Sequence, residues 1–359
     1  MSFMIAAAGT GGHVFPGLAV AEALVAAGIE RAEIVCVGGD RIESRTYPEH
    51  GFPFLELELK GLKRSLHPSN LSLPLLVLRA RRRITAEIES RSVRAVIAMG
   101  GYVTIPTGMA ASKSDASFFV AEQNAGAGLA NRIASRWADR VFVSFPNTTG
   151  LPMGEWVGNP VRDDIARFDR ATLREEALDH YGLKAEIPTL GVFGGSLGAR
   201  AINVAIASLA AGWQGPPFQM VQLVGRAHEN TYADAPAADN VYVARRGFEP
   251  RMDLFFAAID LVVARAGGSV AEITATGTPA ILVPGEFGSS GHQGANASFL
   301  EQAGAGIVLR EEGLPALADL VRQLLFDPIA LENMAEAARA IARPDAANLI
   351  AGAMIEAAS

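Results

Sequence analysis

Two glycine-rich turns, one in each half of the chain, restrict what this sequence can fold into more than any other feature. The first is Ala8-Gly9-Thr10-Gly11-Gly12-His13-Val14-Phe15-Pro16, after the apolar run Phe3 to Ala7. The second is Gly194-Gly195-Ser196-Leu197-Gly198-Ala199, after Thr189 to Phe193. Apolar residues at helical spacing follow each: Leu18, Val20, Ala21, Leu24 and Val25 in one case, Ile202, Val204, Ala205, Ala207 and Leu209 in the other. Strand, glycine turn, helix is how an α/β domain aims bare backbone N–H groups at an anion. Two copies predict two similar domains facing one ligand-filled cleft.

Composition narrows the class. A chain of 359 residues has room for two or three domains, or one large one. Hydrophobic residues make up 50% and aromatics 7%, so the cores should be aliphatic. The formal net charge of -7 argues against a generic nucleic-acid binder. Cys36 has no cysteine to pair with and sits in the apolar run Ile34-Val35-Cys36-Val37, which reads as a buried structural thiol. The N-terminus lacks the basic start of a signal peptide. No stretch approaches the roughly 20 apolar residues of a membrane span. A soluble protein, able to touch a membrane surface, is expected.

Apolar runs alternate with helical patterns along the N-terminal half. Strands are expected at Phe3–Ala7, Ala32–Val37, Pro53–Leu57, Ala95–Ala98, Ser117–Val120 and Arg140–Val143, and helices at Pro16–Ala27, Leu73–Ser90 and Ile105–Ser112. The alternation predicts a mostly parallel, doubly wound sheet. Phe145 to Pro160 is rich in Pro and Gly without periodicity and reads as an interdomain connection. A second series places strands at Thr189–Phe193, Gln219–Leu223, Val241–Ala244, Leu261–Ala264, Ala280–Val283 and Gly306–Val308. Its helices fall at Ala199–Ala211, Arg251–Ala257, Val270–Thr276, Gly294–Ala303, Leu314–Phe326 and Pro328–Ala342, with a last one at Ala346–Ala358. The expected domains are 1–160, 161–342 and a C-terminal helix within 343–359, able to pack back on the first.

The motifs suggest chemistry. Gly9-x-Gly11-Gly12 lacks the third glycine of a dinucleotide fingerprint, because position 14 is Val. His13 follows at a helix N-terminus, where the dipole disfavours its protonated form. A neutral imidazole there can accept a proton, or it can simply cap and pack the turn. Gly194-Gly195-Ser196-Leu197-Gly198 offers N–H groups, a hydroxyl and a helix start suited to a diphosphate; a close strand–helix crossing would use the same small residues. No P-loop Lys follows, which disfavours NTP hydrolysis. Glu272, on a helix just past a strand end, can accept two vicinal ribose hydroxyls or remain a solvated carboxylate. His292, Gln293 and Asn296 lie in or after a glycine-rich loop, a mixture of donors and acceptors suited to sugar hydroxyls.

Six motifs then occur in one order. They are Gly9-Thr10-Gly11-Gly12-His13-Val14-Phe15-Pro16, Gly100-Gly101-Tyr102, Glu122-Gln123-Asn124, Gly158-Asn159-Pro160-Val161-Arg162, Gly194-Gly195-Ser196-x-Gly198-Ala199 and His292-Gln293-x-x-Asn296-Ala297. Together they closely resemble the MurG family over residues 3 to about 310. The resemblance implies an α/β GT-B fold, two Rossmann-like doubly wound domains facing a central cleft. It implies inverting, cofactor-free and metal-independent transfer of N-acetylglucosamine from UDP-N-acetylglucosamine to the C4 hydroxyl of the muramyl sugar of lipid I. The product would be lipid II, for peptidoglycan synthesis. The donor would sit mainly on the C-terminal domain and the acceptor on the N-terminal one. Arg162 and Ser196 would meet the UDP phosphates, Glu272 the ribose, and the backbone around Phe248 and Glu249 the uracil. Gly268 and Ser269 would line that donor site. Gln293 would read the sugar hydroxyls with Asn124 nearby, and Thr10, Gly11 and Gly12 would approach the donor from across the cleft. Gly100, Gly101 and Tyr102 fall on the acceptor side. His13 is the preferred general base, with Glu122 its rival. The family's setting implies the cytoplasmic face of the inner membrane, and cell-wall and division proteins as further partners.

The sequence departs from the family at several points. Leu197 stands where Gln is usual, Ala121 where His is frequent, and Gly291 where an acidic residue is frequent. Gly267-Gly268-Ser269-Val270 is one residue short, which puts contacts from Gly268 to Ala271 in question. Charge is also uneven. Lys60, Lys63, Arg64, Arg79, Arg81, Arg82, Arg83, Arg91 and Arg94 stand against Glu87 and Glu89, with Leu71, Leu73, Leu75, Leu76, Val77 and Leu78 among them. Apolar residues beside a basic cluster suit an anionic bilayer surface; a core helix with a solvated basic face has the same composition. Two other functions fit the residues. One is a related GT-B enzyme with a different lipid or small-molecule acceptor; the other is a non-catalytic nucleotide-sugar-binding paralogue.

Overall fold

The computed structural model of the chain describes residues 1–59, 73–195, 198–285 and 291–359. It divides into two compact units, Met1–Arg162 with Pro344–Ser359, and Asp163–Arg343.

The first unit carries strands β1 (Ser2–Ala7), β2 (Ile34–Gly38), β3 (Phe54–Glu56), β4 (Val93–Gly100), β5 (Ser117–Glu122), β6 (Arg140–Val143) and β7 (Glu155–Trp156). Its helices are α1 (Gly11–Ala26), α2 (Glu43–Glu49), α3 (Leu73–Arg91), α4 (Thr104–Ala111) and α5 (Leu129–Ala134). The second unit carries α6 (Asp163–Ala166), α7 (Arg170–Tyr181), β8 (Thr189–Phe193), α8 (Arg200–Ala211), β9 (Phe218–Leu223), α9 (Glu229–Tyr232), β10 (Val241–Arg246) and α10 (Met252–Ala258). It continues through β11 (Leu261–Ala264), α11 (Ser269–Thr276), β12 (Ala280–Leu282), α12 (Gly291–Gln302), β13 (Gly306–Val308), α13 (Leu317–Leu325) and α14 (Pro328–Ile341). Helix α15 (Ala346–Ala358) returns to the first unit.

The sheet orders are β3-β2-β1-β4-β5-β6-β7 and β10-β9-β8-β11-β12-β13, and every pairing is parallel. In each, the strand order reverses beside the strand that precedes a glycine turn: β1 against β4, β8 against β11. Ligands of open α/β sheets bind outside the carboxyl ends of strands at such reversals. The expected doubly wound, Rossmann-like α/β architecture is therefore present in each unit.

Burial explains why the strands read as continuous apolar runs. Phe3, Ile5 and Ala7 of β1 join one core cluster, while Met4 and Ala6 join the opposite one. A strand covered by helices on both faces has no polar side to alternate with. Helix α15 covers the first face, packing on α1, β4 and β5, and its Ile350 and Met354 are fully buried in that cluster. Cys36 is buried in the same cluster, and burial pushes its thiol pKa well up, as befits an inert structural cysteine.

Several boundaries differ from the sequence reading. Helix α1 begins at Gly11, five residues before Pro16, and keeps that proline inside. Helix α12 begins at Gly291 rather than Gly294, so His292 and Gln293 belong to its first turn. Glycines and prolines read as breakers here, yet packing overrides their propensity. The span Leu314–Phe326 is a 3-10 turn at Glu311–Ala316 followed by α13, with Pro315 inside the turn. The stretch Phe145 to Pro160 contributes β7, whose two residues are too few to show a period. Helices α2, α5 and α7 carried no strong periodic signal. Helix α7 is fixed by its ends: Asp169 accepts from the N–H groups of Ala171 and Thr172, and Gly182 closes it at φ 66°.

Met354→Ala would leave a cavity between α15 and the first sheet. It should destabilise the first unit by about 2–5 kcal/mol, read as an earlier unfolding transition in urea.

Candidate active-site residues of the two units

In the first unit, the turn after β1 delivers His13 in the third position of α1. Its Nδ1 lies 3.1 Å from the carbonyl oxygen of Ala8. A carbonyl only accepts, so Nδ1 carries the proton and Nε2 keeps its lone pair. Burial lowers the His13 pKa below its ordinary value, more than the Ala8 bond and the carboxylates of Glu122 and Glu43 raise it. The ring is therefore neutral at pH 7 and Nε2 can accept a proton. Gly100 walls it closely: a Cβ there would lie 2.8 Å from Nε2. Helix α1 has no acidic residue in its first turn and no side-chain cap, so the N–H groups of Gly11 and Gly12 are left uncapped by side chains beside Thr10.

Glu122, at the end of β5, is only 3% exposed and its oxygens are committed. One accepts from the backbone N–H and side-chain Nδ2 of Asn124, at 3.0 and 3.1 Å. The other accepts from the N–H of Gly128 at 3.0 Å and from Nδ2 of Asn131 at 2.8 Å. A proton on either oxygen would compete with the two donors already bonded to it. It frames the loop from Asn124 to Gly128, and Asn131 is a participant that sequence reasoning missed.

Gly100, Gly101 and Tyr102 act mainly through close approach. Gly101 has φ 87°, and a Cβ on it would lie 2.2 Å from the Ala8 oxygen. The Tyr102 hydroxyl donates to Glu43, 2.9 Å away, so it is engaged within the unit rather than open to a ligand. Glu43 was also missed. Its available signal was the pair Gly38-Gly39 closing a strand, with a carboxylate four residues on.

Helix α3 presents Leu75, Leu78, Arg79, Arg82 and Arg83 to solvent, with Arg81 half-buried. Leu75, Leu78, Arg79 and Arg82 share one face by helical spacing. Leu76 departs from the expected membrane face, because it packs with Val77 against the core cluster containing Ala80, Ile84 and Ile88. Arg91 is paired with Glu87. Lys60, Lys63, Arg64 and Leu71 lie outside the described residues. Among the described residues no helix is long and apolar enough to cross a membrane. Arg162, half-buried, is the last residue before the second unit.

In the second unit, the glycines flanking the turn after β8 serve the close strand–helix crossing. Gly194 and Gly198 serve a tight crossing: a Cβ on Gly194 would lie 2.4 Å from the Ala199 nitrogen, and one on Gly198 2.2 Å from the Val224 oxygen. Helix α8 also starts without an acidic residue or a side-chain cap. Ser196 and Leu197, expected within this turn, lie outside the described residues.

The loops after β10, β11 and β12 carry the remaining candidates. Phe248 is 37% exposed, with the Arg226 guanidinium 4.3 Å from its ring centre. Glu249 points inward: it accepts from Tyr181 Oη at 2.9 Å and the Arg251 N–H at 2.9 Å, and bonds His180 Nε2 at 3.1 Å. These bonds hold its carboxyl below the usual range against the burial that would raise it. Its side chain thus anchors the loop whose backbone is the candidate uracil reader. Gly268 caps α11, and the hydroxyl of Ser269 donates to the Arg265 carbonyl at 3.0 Å. The start of α11 closes with tight bonds, Val270 N to Gly267 O and Ala271 N to Gly268 O, both 3.2 Å. Glu272 follows in the first turn, half-buried. Gln293 Oε1 accepts from the Gly285 N–H at 2.8 Å, and buried Asn296 donates to the Ala266 carbonyl at 3.0 Å. Helix α12 is thereby fastened to the loops after β11 and β12. Among the described residues no cluster of His, Cys, Asp and Glu is placed to hold a metal ion.

Comparison with known proteins identifies the family. Residues 3–143 match the glycosyltransferase family 28 N-terminal domain, and residues 189–350 its C-terminal domain. A UDP-N-acetylglucosamine–N-acetylmuramyl-(pentapeptide) pyrophosphoryl-undecaprenol N-acetylglucosamine transferase of Acidithiobacillus ferrooxidans is 41% identical over 99% of this chain and 98% of its own. The enzyme of the same name from Clavibacter sepedonicus is 38% identical over 96% and 93%. The crystal structure of Acinetobacter baumannii MurG superposes with a TM-score of 0.76, at 28% identity over 99% of both chains. With both domain models matched and identity running the length of the chain, this protein belongs to glycosyltransferase family 28 and, within it, to the MurG family.

Proposed function

We propose that the chain transfers N-acetylglucosamine from UDP-N-acetylglucosamine to the C4 hydroxyl of the muramyl unit of undecaprenyl-pyrophosphoryl-MurNAc-pentapeptide, lipid I, forming lipid II. The observation that carries this reading is the 41% identity over 99% of the chain to a transferase of that name.

The residues suggest how the steps divide. Nε2 of His13 takes the proton of the acceptor hydroxyl as its oxygen attacks C1 of the donor sugar. The C1–O bond to UDP breaks with inversion, and UDP leaves with the electron pair. The uncapped start of α8 with Ser196, together with Arg162, stabilises the negative charge that develops on the diphosphate. Glu272 holds the ribose, the backbone at Phe248 and Glu249 the uracil, and Gln293 the sugar hydroxyls with Asn124. The four donors around Glu122 favour His13 as the base and leave Glu122 to shape the Asn124 loop. The exposed leucines and arginines of α3 support docking on an anionic membrane surface, the cytoplasmic face of the inner membrane.

His13→Ala should lower kcat by about 10²–10⁴-fold while UDP binding, read by calorimetry, stays close to wild type. In the wild type, kcat/KM should fall on acidification through an apparent pKa below the ordinary histidine value. The sign follows from burial: the folded state favours neutral His13, so the base is lost only once the pH drops beneath its lowered pKa. Absence of wild-type turnover with a lipid I analogue would overturn the reading. Changing Arg81, Arg82 and Arg83 to Glu should weaken binding to anionic vesicles roughly a hundredfold or more, at about 1 kcal/mol per basic residue. Vesicle sedimentation checks this, and unchanged binding would remove α3 as the docking face.

A further inference from the structure

Glu43 is a carboxylate with 0% exposure at the first position of α2, far in sequence from His13 and Tyr102. Among the described residues it has no cationic partner. Its bonds come from three different loops instead. Oε1 accepts from the Gly9 N–H at 3.2 Å, the Gly39 N–H at 3.1 Å and the Tyr102 hydroxyl at 2.9 Å, and Oε2 shares the Gly9 donor at 3.3 Å. A buried charge compensated only by dipoles is costly, and leaving those donors unmet would cost as well. The approach is close throughout. A Cβ on Gly39 would lie 2.0 Å from the Tyr102 hydroxyl, and one on Gly38 2.5 Å from Glu43 Cγ.

The atoms held this way adjoin the atoms that hold His13. Gly9 follows Ala8, whose carbonyl takes the His13 Nδ1 proton. Gly101, next to Tyr102, packs against that same Ala8 oxygen, and Gly100 lies against the His13 ring. We propose that Glu43 is a positioning residue for the transfer: its carboxylate ties the β1–α1 turn, the β2–α2 turn and the β4–α4 loop into one frame that fixes the His13 ring and its tautomer. The inference rests on His13 being the base. The charged and titratable groups bearing on this frame are few. Glu122 and Glu43 act on His13, Glu43 with Asp40 and Arg41 on Tyr102, and Cys36 with Glu43 on the buried Tyr47 behind it. The Tyr102 phenol is pushed upward by burial and by Glu43, so it stays protonated and remains a donor.

The test compares full-length wild type, Glu43→Gln and Tyr102→Phe. Glutamine keeps the shape but loses the charge, and with its oxygen at the Oε1 position it sets an NH₂ against the Gly9 N–H. With UDP-N-acetylglucosamine and a lipid I analogue, Glu43→Gln should lose about 10- to 100-fold in kcat, as expected for a displaced catalytic group, with KM for the donor within about twofold. Tyr102→Phe removes one hydroxyl from a folded frame and should lose kcat in the same direction, by less.

A second readout does not depend on turnover. In protein carrying ¹³C-labelled histidine, the His13 resonance, assigned by its loss in His13→Ala, should titrate at lower pH in Glu43→Gln than in wild type. The sign follows because the Glu43 charge raises the His13 pKa, and its removal leaves only the Ala8 bond and Glu122 to oppose burial. Glu43→Gln with wild-type kcat and an unmoved His13 titration would overturn the proposal, even if its melting temperature fell. If Glu43→Gln does not fold, a folded Tyr102→Phe with wild-type kcat and an unshifted His13 resonance would do the same. A wild type that transfers nothing defeats the proposed reaction, and the titration then still decides the frame.

Discussion

A parallel strand buried on both faces can present chemistry only at its ends. That constraint shapes the whole chain. All pairings in both sheets are parallel, and the β1 side chains alternate between two cores rather than between core and solvent. Function is therefore pushed to the turns after the strands, where the chain leaves the sheet and starts a helix. Two such turns, after β1 and β8, lie where the strand order reverses. The backbone diverges there and opens room for a ligand.

The two turns are topological equivalents with different fillings. After β8 the glycines bring α8 against the sheet closely enough to exclude any side chain at Gly194 or Gly198, and leave the helix start uncapped. A tight crossing and an anion cradle make the same demand for small residues, so the first does not exclude the second. After β1 the same geometry carries His13, turned back onto the Ala8 carbonyl. One bond decides its chemistry, because a proton fixed on Nδ1 leaves Nε2 as the basic atom.

Legibility followed the range over which each signal acts. A strand such as Leu261–Ala264 stood out to the residue, since burial on both faces writes an unbroken apolar run bounded by polar residues. The ordered motifs likewise named the turns that carry the candidate site. What escaped was set by contacts distant in sequence. The start of α12 at Gly291 runs against the propensity of its glycines, and Asn296 reaching Ala266 is one of the bonds that fasten it. Glu43 and Asn131 look like ordinary polar residues until the fold brings Gly9, Tyr102 and Glu122 to them. The inward turn of Leu76 beside exposed Leu75 depends on where α3 meets the sheet, which composition does not encode.

Glu43, Glu122 and Glu249, each 3% exposed or less, share a physical logic. Loops that follow parallel strands into helix starts accumulate backbone N–H groups with no strand or helix partner. An acceptor-only side chain is the natural complement, and a carboxylate can take several such donors at once. Each of the three accepts backbone N–H bonds as well as side-chain ones, and each freezes a loop. The starts of α1 and α8 are treated oppositely, with no acidic residue in the first turn and no side-chain cap. Satisfying donors where a loop must be rigid, and leaving them uncapped where the proposed reaction brings anions, lets one backbone geometry serve both support and binding. The β1–α1 turn combines the two: Glu43 takes the Gly9 N–H, while the start of α1 two residues on has no side-chain cap.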